Sequence, residues 1–248
     1  MRHIALALAA LATAAFTQSA SAADMPAKAK APKAPVAYNW TGPYLGLHAG
    51  GVWGESRGTD VNGWNAVGDT FTADTSGFNG GGQLGYNWQI PQTAVVLGLE
   101  GDLGYLGAEG SRASALSSDT FVNADGGWYG TIRGRLGFAP GNGTWLFYGT
   151  GGVIFANVKA TVQDNSVTPG GGILATHPDT GTQTGSIFGG GAEVALSGAW
   201  SGWSAKGEYL YYNLGTKRVN DTALAGGTFR FDIKNTGNIV RLGLNRKF

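Results

Sequence analysis

The stretch with the most chemical promise is FNGGGQLGYNWQI, Phe78 to Ile90. Gly80, Gly82 and Gly85 have the GxGxxG spacing of a dinucleotide-binding turn. Glu100 follows Gly80 by twenty positions, where a ribose-binding acid would stand. That chemistry requires a strand, a glycine turn and then a helix whose N-terminus faces the pyrophosphate. Here Gly85 is followed by YNWQIP, which keeps strict alternation and stops at Pro91. No helix fits before VVLGLEGD begins, so the phosphate cradle fails its own context. In a chain with 44 glycines the bare spacing carries little weight.

Other reactive groups are few. The chain has no cysteine and no HExxH. After His3 the only histidines are His48 and His177. A haem site would need His177 with a tyrosine, but a histidine beside Pro178 and Asp179 without ligand spacing reads first as a solvated loop residue. A hydrolase would need a nucleophile beside His48, and nothing in the sequence places a serine there. These residues give no catalytic, cofactor or metal site.

What remains is a set of charges on alternate positions: Glu100 and Asp102, Arg133 and Arg135, Lys206 and Glu208, then Arg241. Each interrupts a period-two pattern whose opposite parity is aromatic, aliphatic or glycine. Trp128, Gly130, Ile132, Gly134, Leu136 and Phe138 alternate with Tyr129, Thr131, Arg133 and Arg135. Such alternation predicts strands. Eight are expected: Tyr44–Trp53, Phe78–Ile90, Val95–Tyr105, Trp128–Phe138, Trp145–Phe155, Ser186–Leu196, Trp203–Tyr211 and Val240–Phe248. Short turns near Pro91, Pro140 and Ser197 alternate with long polar connections over 54–76, 107–127, 157–185 and 215–228. This is the pattern of an all-β, eight-stranded antiparallel up-and-down transmembrane barrel with short periplasmic turns and long extracellular loops.

The ends of the chain and its composition agree. Arg2 and His3 precede an apolar run, Ile4 to Phe16, and then Ala20-Ser21-Ala22. Residues 1–22 therefore read as a secretory signal peptide. Residues 23–39, rich in Ala, Lys and Pro, read as a flexible periplasmic linker, able to touch an anionic polymer but more simply a spacer. Residues 40–248 form one domain. A net charge of +1 gives no electrostatic case for nucleic acid. An exported chain without cysteine has no disulfides to lean on. No later stretch is a membrane helix, so a membrane could be crossed only by a closed barrel that pairs every backbone group.

Polarity then decides which face is which. Charged residues are only 13% of the chain, and on the strands all but Arg246 keep to the parity opposite the aromatics. In lipid the aromatics face out and the charges face the lumen. The expected lumen network comprises Glu100, Asp102, Arg133 and Arg135 on neighbouring strands, with Glu193, Lys206, Glu208 and Arg241 as a second cluster. The aromatic pairs Phe78/Trp88, Trp128/Phe138 and Trp145/Phe155 are each ten residues apart. At ~3.3 Å per residue and ~40° tilt that span projects to roughly 25 Å, the height of a lipid-facing band. One girdle holds Trp88, Phe138, Trp145, Trp203 and Phe248. The other holds Trp53, Phe78, Tyr105, Trp128, Phe155, Phe188 and Tyr211.

The segments NWTGPYLGLHAGGVWG, GQLGYNWQ, GEYLYYNLG and NIVRLGLNRKF resemble the small outer-membrane β-barrel proteins of Gram-negative bacteria. They are most similar to porin-family surface antigens of alpha-proteobacteria, with the OmpA transmembrane domain a more distant analogue. The resemblance covers Trp40 to Phe248. It implies an abundant outer-membrane protein that exposes loops at the cell surface and is not an enzyme. Val240, Leu242, Leu244 and terminal Phe248 match that family's signal for the barrel assembly machinery, although Arg246 stands where an aromatic is usual. The expected role is structural and surface-exposed, with outer-membrane lipid and lipopolysaccharide as surroundings. The alternatives are a narrow passive pore and, less favoured, haem or adhesin-type binding through the loops.

Overall fold

The computed structural model describes residues 38–63, 66–113, 120–164, 175–222 and 228–248. The expected signal segment and nearly all of the expected linker lie outside these residues. The described strands are β1 Gly42–Asp60, β2 Thr70–Gln89, β3 Val95–Ala113, β4 Thr120–Asp125, β5 Trp128–Phe138, β6 Trp145–Asp164, β7 Ala175–Ala195, β8 Trp203–Thr222 and β9 Thr228–Lys247. One 3-10 turn, Gly198–Trp200, lies between β7 and β8.

All pairings are antiparallel, and β1 pairs with both β2 and β9, so the sheet closes on itself. Both β4 and β5 pair with β3 and with β6. They are successive parts of one wall strand, interrupted at Gly126 and Gly127, and the wall has eight strands. The interruption is held by Leu106 N–H donating to Gly127 O at 2.8 Å and Gly126 N–H donating to Ala108 O at 2.9 Å. A side chain at Gly126 would drive its Cβ to 1.7 Å from Leu106 O.

Alternation sets the faces. In β1, Tyr44, His48, Val52 and Ser56 are buried, while Leu45, Leu47 and Trp53 are exposed. Glycine serves the two faces differently. On the lumen side the wall curls tightly, and a Cβ at Gly50 would lie 2.0 Å from Val240 O. On the outer side a Cβ at Gly149 or Gly51 meets nothing nearer than 3.9 Å. Lumen glycines are demanded by crowding, and these outer ones are not.

The short connections are as the sequence suggests. Gln92 takes a positive φ of 62° in the β2–β3 turn, and Gly141 and Gly143 do so between β5 and β6. At the opposite end, much of what reads as long polar loop is ladder. β1 and β2 stay paired to Thr59↔Thr70, and β6 and β7 to Asp164↔Ala175. A 19-residue strand such as β1 rises roughly 45–50 Å along the axis, about twice the lipid band. Strand therefore continues well beyond the upper girdle. There the wall divides. The β2–β3 ladder ends at Ser76↔Glu109 and the β7–β8 ladder at Ser186↔Asn213. Beside the second break β8 carries a register shift between Asn213 and Thr216, with Gly215 at φ 73°. A bulge bends its strand, and the β7–β8 pairing ends beside it.

Candidate functional site

The lumen is filled in layers. At the short-turn end Trp40 is buried, packed with Val96, Ala139, Leu146, Tyr148 and Ala195. Its indole Nε1 donates to Gly143 O at 2.7 Å, and its backbone N–H donates to Gln89 Oε1 at 3.0 Å. Tyr38 packs edge-on against it at 4.8 Å between ring centroids. The residue that opens the domain in sequence is thus a stopper.

Above it lies the ionic layer. Glu100 and Asp102 on β3, Arg133 and Arg135 on β5, Glu193 on β7, Lys206 and Glu208 on β8 and Arg241 on β9 are all buried. Register places Glu100 opposite Arg133, Glu193 opposite Lys206 and Glu208 opposite Arg241. The sequence suggests two clusters, but the structure joins them into one. A closed wall of eight strands brings side chains from opposite sides within reach, which strand order alone does not reveal. Lys206 Nζ reaches Glu100 Oε2 at 2.9 Å and Glu208 Oε2 at 3.4 Å. Arg133 bonds to Glu100, to Asp102 at 2.8 Å and to Glu208 at 3.3 Å. Arg241 bridges Glu208 at 2.6 Å and Asp102 at 3.1 Å. Arg135 donates to Glu193 at 2.8 Å and stacks 3.9 Å from the Tyr148 ring centroid.

Neutral groups satisfy much of the rest, although Asp102 Oδ1 and Arg135 Nε have no hydrogen-bond partner among the described residues. The Tyr44 hydroxyl donates to Glu100 at 2.7 Å, Tyr148 to Glu208 at 3.0 Å, Thr131 to Asp102 at 2.6 Å and Asn245 to Glu193 at 2.8 Å. His48 belongs here as well. Its Nε2 lies 2.8 Å from Tyr129 Oη and its Nδ1 3.2 Å from Gln83 Oε1. It is held as a member of the network with no serine among these partners. Four cations face four carboxylates, so the layer is neutral overall.

A third layer is apolar and was not expected. Val52, Leu106, Ile154, Ile187, Leu210 and Ile239 pack with Tyr129 and Tyr212 inside the barrel. They occupy the inward parity; Leu106, Ile187, Leu210 and Ile239 lie two or more residues beyond the charges on their own strands, and Val52 and Ile154 come from β1 and β6, which carry none of the layer's charges. Following the Glu100–Asp102 parity on to Leu106 and Ala108 would have exposed this layer. Next to it the lumen keeps a cavity of about 20 Å³ beside Leu106, Tyr212 and Asn235, close to the room one water needs.

Outside, Trp88, Phe138, Trp145 and Phe248 are exposed near the short turns, and Trp53, Phe78, Tyr105, Trp128 and Phe188 at the other level. Tyr105 directly opposes Trp128, and Phe188 opposes Tyr211. Val240, Leu242 and Leu244 face outward in β9. The backbone N–H of Phe248 donates to Pro43 O at 3.0 Å. Arg246 donates to Ser201 O at 2.6 Å and lies over the Trp203 ring, placing its charge at the rim. His177, read as a loop residue, has its backbone in β7 opposite Val162. Beyond the girdle Arg218 and Asp232 form an exposed pair at 2.6 Å, and the Arg218 hydrogen bond holds the Asp232 carboxyl below its usual range.

A closed barrel with rings outside and ions inside is the arrangement of a lipid-embedded protein. The family model described as outer membrane protein beta-barrel domain matches residues 4–248. The chain belongs to the outer-membrane β-barrel family. This barrel is 34% identical over 245 residues to the 31 kDa outer-membrane immunogenic protein of Brucella melitensis, covering 94% of this chain and 95% of that one. It is 32% identical to a 22 kDa outer membrane protein of Rhizobium leguminosarum, over 88% of this chain and 83% of that relative. The crystal structure of OprG from Pseudomonas aeruginosa aligns with a TM-score of 0.52 at 10% identity, covering 84% of this chain and 97% of that one. That likeness concerns the fold. The barrel is an outer-membrane protein of a surface-antigen family, and these relatives are named as outer-membrane proteins, not as enzymes. By the rule for such barrels the short-turn end is periplasmic and the long strands reach outward.

Proposed function

We propose that this barrel is a sealed structural element of the outer membrane that displays its extended strands at the cell surface, and that it neither transports nor catalyses. The observation that carries this reading is the neutral ionic layer spanning the lumen, with its charged side chains almost wholly screened from solvent. A solute would have to part ion pairs that lie buried away from solvent. Eight strands leave an interior that side chains just fill, and Trp40 and the apolar layer add two further stops.

Residues 1–22 would direct export, residues 23–39 would act as a periplasmic spacer, and Val240, Leu242, Leu244 and Phe248 would be read by the barrel assembly machinery. Planar-bilayer recording of the purified protein tests the sealed reading. We expect no steady conductance. Steady ohmic current from pure protein would establish the narrow-pore alternative instead.

A further inference from the structure

The outer face of β9, β1 and β2 carries a trough with two chemistries. Register sets its outward residues in rows. Leu244 lies opposite Leu47, Leu242 opposite Ala49 and Val240 opposite Gly51. Across the next ladder Ala49 faces Gly80 and Gly51 faces Phe78. Leu47, Leu242, Leu244 and Phe78 border a shallow, open apolar depression of about 700 Å³ over Ala49 and Gly80. Two rows higher the lining changes. Trp53 and Tyr211 flank a groove of about 590 Å³ that also holds Glu55, Asp74, Ser76 and Asn238.

The two are joined on β1 by one outward position, Gly51. A Cβ there would meet nothing nearer than 3.9 Å, so the chain's own packing does not require glycine at this step. The upper groove also carries a local conflict. Glu55 and Asp74 stand directly opposite each other, and like charges so placed destabilise a ladder. Among the described residues Glu55 pairs with Arg57 at 3.8 Å, both side chains staying exposed, while Asp74 opposite it is left to solvent-side partners. In the next row Arg57 itself stands opposite Lys234. From the lipid band upward the face therefore offers an apolar depression, a polar pocket flanked by aromatics with two carboxylates, and then two cations.

We propose that this trough seats a phosphorylated glycolipid of the outer leaflet. An acyl chain lies in the depression below Gly51. A saccharide lies between Trp53 and Tyr211, with hydroxyls donating to Glu55 and Asp74, and phosphate meets Arg57 and Lys234. Each chemistry stands at the depth where such a lipid carries its match. Aromatic rings suit a ligand with one apolar and one wet face, and hydroxyl donors relieve opposed carboxylates. Phosphate does the same for opposed cations. The unfilled step at Gly51 lets one molecule span all three.

The test uses the whole protein in tetraethylene glycol octyl ether, a detergent without a sugar. Deep-rough lipopolysaccharide and phosphatidylethanolamine are titrated separately and the bound lipid is read by native mass spectrometry. Lipopolysaccharide is expected to bind at least tenfold more tightly than phosphatidylethanolamine. Gly51→Trp should lower lipopolysaccharide affinity at least tenfold, and so should Glu55→Gln with Asp74→Asn. Gly151→Trp, on another outer face with comparable room, should leave it unchanged. Heat-modifiable gel mobility confirms that each variant has folded. Equal binding of the two lipids, no loss in the trough variants, an equal loss in Gly151→Trp, or a barrel dimer covering the trough without lipid would each overturn the proposal. None of these results bears on whether the lumen conducts.

Discussion

Glu208→Gln is the most informative single change. Glu208 Oε2 accepts from Arg241 at 2.6 and 2.7 Å and lies 3.4 Å from Lys206; its Oε1 accepts from Tyr148 at 3.0 Å and Arg133 at 3.3 Å. The amide keeps the shape and one acceptor but removes the charge, leaving four cations against three carboxylates in a buried layer. Breaking a buried pair from one side costs about 3–5 kcal/mol, because the remaining charge has no counterpart. At an m-value of about 2 kcal/mol per M, the urea midpoint of the barrel refolded in lipid vesicles should fall by roughly 1.5–2.5 M. Arg241 stands directly opposite Glu208, so Glu208→Gln with Arg241→Gln restores the balance at three and three. The double variant should lose clearly less than the sum of the singles, with a coupling of at least about 1.5 kcal/mol. Purely additive losses, or a single-variant loss below about 1 kcal/mol, would refute the idea that charge balance holds the layer together.

Three further outcomes are expected. Gly50→Ala should prevent recovery of the heat-modifiable band, because its Cβ would lie 2.0 Å from a wall carbonyl, whereas Gly149→Ala should be tolerated and raise stability by about 0.4–1 kcal/mol. Trp40→Ala should cost about 3–5 kcal/mol in urea unfolding yet leave the bilayer silent, since the ionic and apolar layers remain. Phe248→Ala should reduce the outer-membrane fraction in cells without changing refolding in vitro, because Phe248 is exposed and contributes no core packing; a matching loss in vitro would assign it a folding role instead.

Much of the barrel is legible in the sequence because lipid reverses the usual pattern and strand parity is strict. Trp128, Ile132 and Phe138 against Arg133 and Arg135 give both the strand and its orientation. Four features were hidden, each for a physical reason. The strand beyond the girdle, such as Thr70–Ser76, faces water on its outer side and carries Thr, Asp and Ser, which are also loop residues. The apolar layer of Leu106, Ile154 and Leu210 shares its parity with the charges, so a parity read as polar conceals it. The single ionic layer depends on distances across the lumen, and no spacing along the chain encodes them. Trp40 precedes β1 and has no periodic pattern to place it.

Single-tryptophan variants in vesicles with bromine at defined acyl depths test the inside-out arrangement most directly. A variant keeping only Trp88 should be strongly quenched by bromine near the interface, and one keeping only Trp40 should be nearly insensitive at every depth. Equal quenching of the two, or quenching of Trp40 alone, would contradict a barrel with its girdle in lipid and its stopper in the lumen.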